Sequence, residues 1–173
     1  MDDSLCVIFI ILIIWLIIYL MLEFSIINNK KNEVKKIFLE IDELFEKRIS
    51  ILLKMVDIVK GYDKNQFDDL GSRLYDYSTF YKEYDVNKRI EVNHILDGDV
   101  KKILLATKVY PELTDVVKYV KFEKQLIRYS KVIKKLKFKY NKVLDDYNNR
   151  KRIFPSGIIS IVCKFYDYNR FTD

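Results

Sequence analysis

Glycine, proline, cysteine and histidine are all scarce in this 173-residue sequence, at four, two, two and one. A sheet protein of this size needs many more turn residues, so the scarcity of glycine and proline predicts a chain that is mostly helix. The two cysteines, Cys6 and Cys163, lie near opposite ends and form no disulfide framework, as expected in a reducing compartment. Cys163 has Lys164 beside it but no histidine base nearby in sequence. His94 stands without neighbouring cysteines, and there is no HExxH or CxxC pattern, so no metal site is expected. A glycine-rich phosphate loop and a G-x-S-x-G elbow are also missing. The expectation is a protein that is not an enzyme, with no catalytic residues and no cofactor.

Positive charge is missing from the first 29 residues, where Leu5–Leu22 runs LCVIFIILIIWLIIYLML without any charged residue. As a helix these eighteen residues span roughly 27 Å, close to the ~30 Å hydrocarbon core of a bilayer. A secretory signal has a basic leader and small residues before its cleavage site. Here Asp2 and Asp3 precede the run and Glu23-Phe24-Ser25 follows it. The run is apolar on all sides, unlike a core helix with its polar stripe, and reads as one transmembrane span. Lys30, Lys31, Lys35 and Lys36 follow the span closely, which by the positive-inside rule leaves residues 1–4 outside and the bulk of the chain in the cytoplasm.

The remaining residues carry all 31 lysines and arginines, with all but three of the 25 acids. This basic balance suits an anionic partner such as lipid headgroups, nucleic acid or an acidic protein. Four amphipathic seams follow in order. The first helix is expected over about 28–62, with Val34, Phe38, Ile41, Phe45, Leu52, Met55, Val59 and Tyr62 on its seam and Gly61 as its C-cap. The second, about 65–84, carries Phe67, Leu70, Leu74, Tyr77, Tyr81 and Tyr84. The third, about 88–109, carries Val92, Leu96, Ile103, Ala106 and Tyr110, with a kink or break expected near Gly98. Pro111 ends it and opens the fourth helix, about 112–152, whose seam runs from Tyr119 through Phe122, Leu126, Tyr129, Ile133, Leu136, Tyr140 and Val143 to Tyr147. Four such helices with short connections predict an all-α fold: residues 23–152 form an antiparallel up-down-up-down four-helix bundle with long first and fourth helices.

That topology returns Arg150, Lys151 and Arg152 to the neighbourhood of Lys30, Lys31, Lys35 and Lys36, forming a basic collar toward the bilayer. The aromatic tail, 153–173, is expected near the same end, with Pro155 breaking the long helix and Ser156-Gly157 capping a short one. Thirteen basic residues between Lys118 and Arg152 face only Glu123, Asp145 and Asp146. Most of that charge reads as a solvated face, and its membrane end as attraction to anionic lipid. Nucleic-acid binding is disfavoured, because the aromatics of the fourth helix lie on its seam and cannot stack on bases. Arg48 interrupts the first seam and must be paired or reach an edge. Asp42, Glu43 or an acid on a neighbouring helix can pair it, in a register-setting role. Asp97-Gly98-Asp99 and Asp68-Asp69 read as turn and helix-surface residues.

Ile41-Asp42, Lys47-Arg48, Val59-Lys60-Gly61-Tyr62, Tyr110-Pro111-Glu112-Leu113, Tyr140-Asn141, Tyr147-Asn148 and Phe154-Pro155-Ser156 occur in this order, followed by Phe165 and Phe171. In order and spacing the chain resembles the LemA family of bacterial membrane-anchored helical proteins. It departs from the family where Leu53-Lys54 replaces a Pro-Asn pair and Tyr129-Ser130 replaces a Glu-Asn pair. The resemblance implies a cytoplasm-facing four-helix bundle on one span of the bacterial cell membrane, with the motif residues Gly61, Tyr62, Tyr110, Pro111, Tyr140, Asn141, Tyr147, Asn148, Phe154, Pro155 and Ser156 in structural roles. The functional expectation is an interaction or scaffold module with unidentified membrane or cytoplasmic protein partners. A self-assembling coiled coil is the alternative, since seams this regular can also pair between chains.

Overall fold

The computed structural model describes residues 3–165 and 167–172; Met1 and Asp2 of the expected N-terminal segment, and Tyr166 of the aromatic tail, lie outside the described residues. The fold is helical, with no strand among the described residues. The helices are α1 (Asp3–Val59), α2 (Lys64–Phe80), α3 (Val86–Val109), α4 (Val117–Arg152) and α5 (Ser156–Val162). Short 3-10 turns at Tyr81–Glu83 and Pro111–Asp115 follow α2 and α3. The chain divides into two compact units. One comprises Met1–Lys36 with Asn141–Asp167, and the other Ile37–Tyr140 with Tyr168–Asp173.

Four sequence expectations need correction. The apolar run and the first amphipathic helix are a single 57-residue helix rather than two, because nothing between Glu23 and Val34 breaks a helix. Its end does not use glycine in a left-handed cap, since no glycine has positive φ. Instead Tyr62 and Asp63 donate from their backbone N–H to the Val59 carbonyl. Gly61 serves close approach, because a Cβ there would meet the Ile58 carbonyl at 3.2 Å. Helix α3 runs through Gly98 without a break; it starts cleanly, with the Asp85 carboxylate accepting from the Lys88 N–H at 2.8 Å. Pro111 begins the short 3-10 turn rather than α4, and extended backbone at Val116 delays α4 to Val117.

The larger unit is built on the predicted seams. Phe45, Leu52, Met55 and Val59 of α1 meet Leu70 and Leu74 of α2, Leu96 and Ile103 of α3, and Tyr119 and Leu126 of α4 in one core. Tyr119 is fully buried and its hydroxyl donates to the Ile103 carbonyl at 2.8 Å, so tyrosine fills an apolar seam without an unmet polar group. Burial pushes that phenol up to about 12. In the other unit, Leu5–Leu22 is exposed along its whole length apart from half-buried Leu20. This is the one helix among the described residues long and apolar enough to cross a membrane.

Candidate functional site: buried charges along the first helix

Helix α1 carries three buried charged groups, Glu23, Asp42 and Arg48, and each is answered from a distant part of the sequence. Glu23 directly follows the apolar run. Its carboxylate accepts from Arg150 Nη2 at 2.7 Å and Nε at 3.2 Å, and from the Ser156 hydroxyl at 2.7 Å. A guanidinium fork plus a hydroxyl satisfies a buried carboxylate that would otherwise be costly. Ser156 therefore does not cap α5; Pro155 occupies that position without a side-chain cap, and the Ser156 hydroxyl is committed to Glu23.

Asp42 sits in the larger unit. It accepts from the Tyr81 hydroxyl and from Arg89 Nη1 at 2.8 Å, and Asn93 Nδ2 donates to the Tyr81 oxygen at 3.0 Å. The same guanidinium donates to the carbonyls of Tyr84 at 2.9 Å and Lys82 at 2.7 Å, which fixes the turn between α2 and α3. The Tyr81 ring stacks on Phe45 with centroids 3.9 Å apart. Burial raises the Asp42 carboxyl above its ordinary value, more than the hydrogen bonds from Tyr81 and Arg89 lower it.

Arg48 is 1% exposed on the α1 seam. Its Nη2 donates to Asp97 Oδ1 at 2.8 Å, and Lys137 Nζ donates to Asp97 Oδ2 at 2.5 Å. Asp42 is engaged by Arg89, so the acid on the neighbouring helix pairs Arg48. Burial by itself would raise the Asp97 carboxyl, but Arg48 and Lys137 outweigh it and hold it below the carboxylate range. Asp97 and Asp99 are thus not turn residues: Asp99 is 3% exposed at its side chain and takes Arg73 Nη2 at 2.7 Å. Two cations share Asp97. Arg48 Nε and Nη1, with Ser130 Oγ, have no hydrogen-bond partner among the described residues.

The seven basic residues of the expected collar all fall within the smaller unit. Lys30 lies 3.6 Å from Glu33 and 3.8 Å from Asp146. Lys31 stands over the Phe165 ring. Lys151 pairs with Asp167 and stands over buried Tyr147. Lys35, Lys36 and Arg152 are exposed, whereas Arg150 is spent on Glu23. Among the motif residues, Tyr62 packs its ring on Tyr110, whose hydroxyl donates to Asp63 at 3.0 Å, and Pro111 is exposed in its turn. Tyr140 is buried and donates to the Asn169 carbonyl at 3.2 Å; Asn141 and Asn148 are half-buried. Phe154 is exposed, and its peptide bond to buried Pro155 is cis.

The tail divides. Ile153, Phe154, Ile158, Ile161 and Val162 are exposed, while Phe165 is buried beside Phe24 in the same unit. Phe171 belongs to the larger unit, wedged against Phe38 and Tyr140. Residues 38–172, well over half of the chain, match the LemA family.

The chain belongs to the LemA family.

The match begins after the apolar run, so in this LemA protein Glu23 lies outside the matched region while its partners Arg150 and Ser156 lie inside it. No curated protein and no solved structure matches the chain. Glu23 and Ser130 do not stand out in the sequence as site residues, and Asp97 and Asp99 read there as turn and helix-surface residues. A usable hint was present for one of them: a seam arginine demands an acid on a neighbouring element, and Asp97 directly follows the seam residue Leu96.

Proposed function

We propose that this LemA protein is a non-enzymatic interaction or scaffold module, anchored by one span in a bacterial cell membrane with its bulk in the cytoplasm. Helices α1 to α4 form an up-down-up-down bundle in this reading. The observation that carries it is the apolar run of α1, exposed on all sides and continuous with a helix whose next buried residue is the latched Glu23. An apolar run exposed along all but one of its eighteen residues has a natural solvent in lipid. The bond from Ser156 to Glu23 holds the start of α5 at the foot of the span. From there Phe154, Ile158, Ile161 and Val162 enter the interfacial layer, with Lys35, Lys36 and Arg152 as the lipid-facing members of the basic collar.

The two native cysteines, both exposed, test the orientation. With Cys6 replaced by serine, a membrane-impermeant maleimide should label Cys163 only after the cells are lysed. Labelling of Cys163 on intact spheroplasts reverses the orientation, and release of the full-length chain by alkaline carbonate removes the anchor altogether. For the collar, exchange of α5 amides is compared in anionic and neutral nanodiscs. Equal protection in both counts against attraction to anionic lipid.

A further inference from the structure

The cluster around Arg48 opens on a cavity of about 470 Å³, within the range of small-molecule sites. Its walls are apolar at Val100, Leu104 and Ile133 and cationic at Arg48, Lys101, Lys134 and Lys137. Among the described residues of the lining Asp97 is the one carboxylate, and it already accepts from Arg48 and Lys137 together. A fully buried guanidinium with two N–H positions unmet is expensive unless an acceptor reaches it. The excess of positive charge over Asp97 gives that acceptor its sign. All lining residues belong to the larger unit.

We infer that this cavity is a binding site for a small amphiphilic anion, a phosphate or carboxylate head on a short apolar body. The head takes the Nε–H and Nη1–H of Arg48 with the Ser130 hydroxyl as a third donor; these atoms are closed to water in the structure, so the lining side chains part as the head enters. Lys101 and Lys134, exposed at the mouth, attract and screen the anion, and the body lies along Val100, Leu104 and Ile133. A soluble phosphomonoester and a lipid headgroup present the same head.

The test titrates the full-length protein in mild detergent with phenyl phosphate, inorganic phosphate and benzyl alcohol, reading heats of binding and the arginine Nε–H resonances. Phenyl phosphate should saturate and move the Arg48 resonance. Inorganic phosphate should bind about tenfold more weakly for want of the apolar contact, and benzyl alcohol should not shift Arg48. Arg48→Gln should abolish binding. Since that variant can also unfold, Lys101→Gln with Lys134→Gln carries the test: it should weaken phenyl phosphate about fivefold with melting unchanged. In nanodiscs, displacement of phenyl phosphate by anionic but not neutral lipid identifies a lipid headgroup as the occupant. Retention identifies a soluble anion. No saturation up to ~10 mM, weaker than useful affinities, overturns the inference. So does binding that leaves the Arg48 resonance in place and ignores both lysine substitutions.

Discussion

Asp42 and Arg48 lie less than two turns apart on α1 and are both buried, yet their clusters are built on opposite plans. Around Asp42, one carboxylate meets one guanidinium and one tyrosine hydroxyl, and Asn93 donates to that tyrosine, leaving a neutral amide oxygen, Asn93 Oδ1, without a hydrogen-bond partner among the described residues. Around Arg48, two cations share one carboxylate and two guanidinium positions have no partner among the described residues. Burial acts on both carboxyls in the same direction. It prevails at Asp42, which faces one cation, and loses at Asp97, which faces two. A balanced cluster of this kind holds helices in register. A cluster with surplus charge holds them less economically and is left able to take up something more.

The sharpest way to break this contrast is Asp97→Asn. It leaves Arg48 buried beside Lys137 with no counter-charge and should cost about 3 kcal/mol, discounted from the fully buried case because Asp97 is partly exposed. Thermal unfolding of the full chain in mild detergent measures it. Asp42→Asn should cost about 1–2 kcal/mol in the same assay, because Arg89 keeps two backbone carbonyls. A larger loss at Asp42 than at Asp97 would reverse the assignment of which cluster is strained.

Acid separates the two carboxyls further. The Asp97 carboxyl is lowered in the folded state, so its contribution is complete above the unfolded value of about 4 and disappears as pH falls through the folded value. The gap between wild type and Asp97→Asn should therefore narrow in acid. The Asp42 carboxyl is raised, so ionising it costs stability above its folded value and protonation returns that stability. The gap between wild type and Asp42→Asn should widen as pH falls from 7 toward 4. Parallel stability curves for wild type and both variants would remove the distinction.

Glu23 supplies a further carboxylate for comparison, buried and in the smaller unit. Ser156→Ala deletes one of its donors and leaves Arg150 in place, at a cost of about 1 kcal/mol. Loss of α5 amide protection should accompany it. The smallest effect is expected at Gly98, where an added Cβ meets nothing within 4 Å. Gly98→Ala should stabilise α3 by about 0.5–1 kcal/mol without touching either cluster's charges. A destabilised Gly98→Ala would mean that the space beside Gly98 is needed by the cluster around Asp97.

Much of the larger unit was legible in advance. Phe45, Leu52, Met55, Leu74, Leu96, Ile103, Tyr119, Leu126 and Tyr140 were placed on seams by spacing, and all are buried. The ends of helices were less legible. Pro111 and Gly61 each allow more than one local geometry, and the choice depends on backbone contacts that only the folded chain supplies. The candidate site was half visible: Arg48 stood out on an apolar stripe, but its partner Asp97 looked like part of a turn because Gly98 follows it. The Glu23 latch was invisible, since Arg150 lies 127 residues away and nothing local marks the pair.

Sequence alone determined that this chain is helical, carries one apolar run of membrane-spanning length, and buries tyrosine-rich seams. Those properties come from periodicity and composition, which each segment expresses without knowing its neighbours. Only tertiary structure decided which buried charge meets which, because pairing depends on where distant helices cross. It joined Ser156 and Arg150 to Glu23, assigned Asp42 to Arg89, and gave Asp97 two cations while leaving part of Arg48 unmet.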